Sequence, residues 1–135
     1  MQNQHVRQVP CLILGLALLC TMPSEALAEP IFLDCRSGSF QYSLALDYTD
    51  GTIEILNFAD GNKFTDENGH SILPINVGDN AVKWRTGYRA AGGLIVRVYW
   101  TLNRLTGILT AYNDSTRDGN EPMACIRASK PQAKF

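Results

Sequence analysis

Few combinations of side chains in this chain have the types and spacing that chemistry requires. Asn68-Gly69-His70-Ser71 places a hydroxyl beside the only imidazole that follows His5. A nucleophile and its base must meet in space, with a third group orienting the imidazole, and adjacency along a flexible turn does not supply that. No Gly-x-Ser-x-Gly elbow accompanies it, so His70 reads as a solvated turn histidine. Asp60, Asn62, Asp66 and Glu67 offer the oxygen ligands that calcium prefers, but Phe64 and Thr65 stand where the usual loop needs an oxygen donor and a glycine. Paired carboxylates for glycan hydrolysis are equally hard to assemble, because the acids are scattered over turns and polar strand positions. These patterns imply no catalytic residue, no metal and no cofactor.

The cysteines say more. Cys11 and Cys20 fall within the first 28 residues, which leaves Cys35 and Cys125 as one pair at opposite ends of the remaining chain. There is no Cys-x-x-Cys spacing for redox work or zinc, so the pair reads as a structural disulfide closing first strand to last. A second constellation is cationic. Lys83, Arg85, Arg89, Arg97 and Tyr99, with Tyr88 in the loop after Arg85, fall on adjacent strands whose outward faces would array them together. Such a patch could receive a carboxylate, a phosphate or an acidic glycan, with tyrosine as an apolar platform. The plainer alternative is a solvated face whose charges discourage sheet-to-sheet pairing, neutralised across the ladder by Glu54 or Asp47.

The elements that position these residues begin after an export signal. A weakly basic start through Arg7, an apolar run from Cys11 to Cys20 and the small-residue site Ala26-Leu27-Ala28 form a secretory signal peptide cleaved after Ala28. Lipidation at Cys20 would want a small residue before it, and Leu19 stands there. No segment approaches the roughly 20 apolar residues of a membrane-spanning helix. A periplasmic or secreted protein is expected. Cleavage leaves 107 residues with eleven basic and twelve acidic side chains, a balance that gives no general attraction to nucleic acid or anionic membrane.

Within those residues the periodicity is that of strands. Phe40, Tyr42, Leu44, Leu46 and Tyr48 alternate with polar neighbours, and Thr49-Asp50-Gly51 turns the chain into a second strand over 52–58. A shift of the apolar set from Ile53 and Ile55 to Leu56 and Phe58 suggests a bulge there. Pro74 marks 72–77 as an edge strand. Strands follow at 81–86, 94–102, 108–112 and 123–128, with a glycine-rich loop over 87–93. About eight short strands predict an all-β fold, an antiparallel sandwich or small barrel, spanning 29–128 and followed by a frayed tail over 129–135.

Asn103-Arg104-Leu105-Thr106-Gly107, together with Cys35 and Cys125, resembles a group of small exported single-disulfide β-proteins of Gram-negative, rhizobia-like bacteria. The resemblance implies a compartment and no activity. In plan the chain is also similar to bacterial inhibitors of c-type lysozyme, although it departs from their inhibitory-loop pattern, of which Gly87-Tyr88-Arg89 is a distant echo. Arg104 is expected to pin its turn rather than to contact a ligand. The functional expectation is a non-enzymatic binding or envelope-associated module engaging an acidic protein or glycan, with inhibition of a host or competitor hydrolase such as c-type lysozyme, or an envelope hydrolase activity, as alternatives.

Overall fold

The computed structural model describes residues 29–38, 40–57 and 60–129. The segment expected to be a signal peptide, with Cys20, and likewise Phe58 and the residues beyond Ser129 lie outside the described residues. The described residues are all-β and antiparallel, with ten strands among them: β1 Ile31–Ser37, β2 Phe40–Asp47, β3 Thr52–Asn57, β4 Leu73–Pro74, β5 Asn76–Val77, β6 Ala81–Arg89, β7 Ile95–Asn103, β8 Ile108–Asn113, β9 Asp118–Gly119 and β10 Met123–Ala128. They form one sheet in the order β4-β3-β2-β1-β10-β8-β7-β6-β5, with β9 beside β8. The two outermost strands, β4 and β5, are separated by Ile75 alone. The ends of the sheet therefore meet, and the sheet curls into a nearly closed barrel.

Alternation decides what fills it. Leu44, Leu46, Ile53, Ile55, Val82 and Leu109 are fully buried, each a member of an apolar period-two set pointing inward. Tyr42, Phe64, Trp84 and Trp100 add an aromatic cluster: Trp84 and Trp100 are register partners whose rings stack 6.2 Å apart, and the Tyr42 and Phe64 rings meet Trp100 edge-on. The Trp100 indole N–H donates to Thr86 Oγ1 at 2.9 Å, which satisfies that buried polar pair. Cys35 and Cys125 are bonded and face each other across the β1–β10 ladder. The bridge joins the first strand to the last and fits an oxidising compartment. No helix among the described residues is long and apolar enough to cross a membrane.

Three expectations change. β6 continues through Gly87, Tyr88 and Arg89, so the glycine-rich loop shrinks to a 3₁₀ turn at Ala91–Gly93 and its flanks. Its partner β7 is long enough to hold Arg89 in register with Ile95. The segment around Pro74 is an edge, as expected, but instead of one strand it splits into β4 and β5, which end the sheet on either side and clasp the barrel: Pro74 pairs with Thr52 of β3, and Asn76 pairs with Lys83 of β6. The strand expected over 94–102 is β7 at Ile95–Asn103, so Leu94 precedes it and is exposed.

The turns are held by local hydrogen bonds. Asn103 Oδ1 accepts from the N–H groups of Leu105 and Thr106 at 2.9 and 3.0 Å, and Gly107 takes the left-handed conformation at φ 70° that a side chain would resist. Asn103 thus makes the turn, while Arg104 joins it to its neighbours. Arg104 Nη1 donates to Gly78 O at 2.9 Å, and its guanidinium lies 5.5 Å from the Tyr48 ring centre.

Candidate functional site

The clasp leaves a groove, and Pro74 explains why. Extending the β5–β6 register by two residues would set Pro74 against Arg85, but proline has no N–H to donate to the Arg85 carbonyl. The ladder stops at Asn76–Lys83, and the Ile75 N–H turns away to Gly51 O at 3.0 Å. Beyond the gap the loop before β4 seals the barrel instead, with the Phe64 N–H bonded to Ile55 O and the Gly87 N–H bonded to Thr65 O, both at 2.9 Å. Between the two seals lies a cleft of about 420 Å³. Leu73, Ile75 and Trp84 supply its apolar surface, and Lys83, Arg85, Asp66, Asn76 and Tyr99 its polar one. The Trp84 indole nitrogen is buried and has no hydrogen-bond partner among the described residues.

Glu67 controls the charge beside this groove. Its side chain is only 11% exposed, and Oε1 lies 3.1 Å from Arg85 Nη2 and 3.6 Å from Arg97 Nε. Gly87 makes room for it: a β-carbon there would sit 3.2 Å from Glu67 Oε2 and 3.0 Å from the Val96 carbonyl. The carboxyl is held below its ordinary range by its own backbone N–H first, then by the Arg85 and Arg97 guanidiniums, against desolvation that works the other way. Glu67 Oε2 is buried without a hydrogen-bond partner among the described residues.

The structure divides the cationic constellation read from the sequence. Lys83, Arg85, Arg97 and Tyr99 do share the outward face of β6 and β7, with Arg85 opposite Tyr99 and Lys83 opposite Thr101. Tyr99 is in turn opposite Tyr112 of β8, so Arg85, Tyr99 and Tyr112 form a row across three strands. Tyr88 does not belong to this face. It lies in β6, opposite buried Val96 and on the parity of Trp84 and Thr86, and is exposed only because the core ends there. Arg89 is on the outward parity but six residues from Lys83, roughly 20 Å along the strand. Neither Lys83 nor Arg89 has an acidic partner among the described residues, whereas Arg85 and Arg97 share Glu67. The carboxylates expected to neutralise the patch are used elsewhere. Glu54 pairs with Lys63 at 3.1 Å, and Asp47 Oδ1 accepts from the N–H groups of Thr49 and Asp50. Glu67 was hidden from a ladder-based reading because it arrives from a loop. The signal that could have pointed to it is Gly87, which interrupts the outward series Lys83, Arg85, Arg89 where another backbone must approach.

The remaining polar groups of the 60–70 loop build turns. Asp66 Oδ1 accepts from the backbone N–H groups of Asn68 and His70, both at 2.9 Å, and its Oδ2 lies 3.0 Å from His70 Nδ1. The His70 backbone N–H is the chief cause of the lowered Asp66 carboxyl pKa. The His70 side chain is 72% exposed, and no nucleophile is hydrogen-bonded to its ring among the described residues. Asp60 Oδ1 accepts from the Asn62 N–H, and no group of three His, Cys, Asp or Glu side chains among the described residues could hold a metal ion. The groove offers charged groups, hydrogen-bonding groups and apolar contact. No protein-family model, curated protein or solved structure matches the chain, so this geometry alone carries the functional reading.

Proposed function

We propose that the protein is an exported, non-enzymatic binding module of the cell envelope that takes an acidic group of a protein or glycan at the seam groove. One observation carries the reading: Lys83, without an acidic partner among the described residues, stands on the rim of a cleft backed by Leu73, Ile75 and Trp84. A cation beside apolar surface suits a ligand that brings a carboxylate next to a hydrocarbon or sugar-ring face. Tyr99 and Tyr112, both partly exposed and opposite each other, extend an aromatic platform from the rim. Arg85 is positioned by Glu67 rather than free, so Lys83 is the first contact and Arg85 an oriented second donor.

The test is a titration of the oxidised protein with a uronic-acid oligosaccharide, an Asp/Glu-rich peptide and a neutral oligosaccharide of equal length, followed by tryptophan fluorescence and by backbone NMR. Binding of an acidic probe that shifts Lys83, Trp84 and Tyr99, weakens with salt and is lost in Lys83→Glu supports the proposal. Equal binding of the neutral probe, or no response to any of them, sinks it.

A further inference from the structure

A second cleft, independent of the seam, opens at the end of the barrel where β1 begins and β2, β7 and β10 finish. Its volume is about 290 Å³, at the small end of ligand pockets. Ile31, Leu33, Leu46 and Leu102 provide an aliphatic lining. Two arginines stand among them. Arg127 is opposite Leu33, which is itself opposite fully buried Leu44, so it occupies the inward parity of β10. Its side chain makes no ion pair or hydrogen bond among the described residues. Arg104 is fixed in place by Gly78 O and the Tyr48 ring. That leaves most of its five N–H donors uncommitted.

An inward-parity arginine without a carboxylate, next to a second, immobilised arginine and an aliphatic wall, is complementary to an amphipathic anion. We infer that this barrel-end cleft binds a medium-chain alkyl carboxylate, with the acid held between Arg104 and Arg127 and the chain lying against Ile31, Leu33, Leu46 and Leu102. Two guanidiniums can share one carboxylate through charge-assisted hydrogen bonds. An aromatic tail fits less well, because the one ring at the mouth, Tyr48, is engaged by Arg104.

Sodium octanoate, 1-octanol and octylammonium, titrated into the oxidised protein at monomeric concentrations and followed by methyl NMR, separate charge from tail. Octanoate is expected to bind saturably with shifts at Ile31, Leu33 and Leu46, 1-octanol about tenfold or more weaker, and octylammonium not at all. Arg127→Gln should weaken octanoate by about tenfold or more and leave octanol unchanged. Arg127 is solvent-exposed, so the variant is expected to fold, and its circular dichroism checks this. Lys83→Glu should have no effect, which keeps the outcome separate from that of the seam groove. Equal affinity for octanoate and octanol, an unaltered Arg127→Gln affinity, or no saturable octanoate binding would show that Arg127 merely reaches water and would overturn the inference.

Discussion

The wall of the barrel containing β1, β2, β3 and β10 and the seam between β3 and β6 are built by different means. In the wall, long antiparallel registers run without interruption from Ile31↔Leu46 to Ser37↔Phe40 and from Tyr42↔Asn57 to Asp47↔Thr52, and the disulfide crosses one ladder. At the seam, two strands of two residues and a loop share the work. Continuous ladders leave little room for a ligand between them, while a patched seam leaves a groove where proline interrupts pairing. Cooperative strength and the proposed recognition are thus separated within one sheet, in line with the drawing of binding elements from the less stable parts of a fold.

The largest expected effect tests the wall. Replacing Cys35 and Cys125 together by Ser should cost about 4–5 kcal/mol in urea unfolding, since the bridge spans a sequence separation of 90 residues. Cys35 is opposite Tyr42, whose ring meets Trp100 edge-on, so the tryptophan spectrum of the folded variant reports whether the loss of the bridge reaches the aromatic cluster. Cavity variants sharpen the contrast. Leu44 and Leu73 are both fully buried, and Leu→Ala in such positions costs about 2–5 kcal/mol. Leu44→Ala should fall near the upper end and Leu73→Ala near the lower, because the short β4 can collapse into the space. Equal costs, measured by chemical denaturation, would erase the distinction between wall and seam.

Gly87→Val should cost about 1–3 kcal/mol by overpacking. Its more specific consequence is displacement of Glu67, releasing Arg85 and Arg97. Side-chain NMR of the two guanidiniums should show them lose their distinct, slowly exchanging signals, and unchanged signals would mean the loop does not depend on that glycine. The smallest effect is a pH dependence. The Asp66 and Glu67 carboxyls are both lowered in the fold. Their contribution is therefore complete above the unfolded carboxylate pKa and is lost as pH falls through the lowered folded values. Melting temperature should decline between about pH 5 and pH 2 more steeply in the parent than in an Asp66→Asn, Glu67→Gln double variant. Identical slopes would remove these carboxylates from the account.

How much was legible in the sequence follows the same division. Tyr42, Leu44, Leu46, Ile53 and Ile55 advertise their burial through period-two alternation, because the inward face of a strand is fixed by parity alone. Asn103 and Gly107 advertise their turn through local chemistry. The candidate site was only half visible. Lys83, Arg85, Arg97 and Tyr99 could be placed on one face from strand parity, but Tyr88 was misassigned because the end of β6 is set by its pairing with β7. Glu67 was missed because its contacts with Arg85 and Arg97 cross 18 and 30 positions of sequence through a loop.

By itself the sequence determined an all-β chain, its principal hairpins, the inward residues of most strands and the two cysteines free to pair, since each depends on local alternation, turn chemistry or counting. Only the tertiary structure decided that the sheet closes through Ile75, that Pro74 opens a groove beside Lys83, that Glu67 pairs with two arginines and that Arg127 joins Arg104 at the barrel mouth. These depend on register between strands distant in the chain. Register is fixed when the whole apolar set is buried at once, a condition no local window contains.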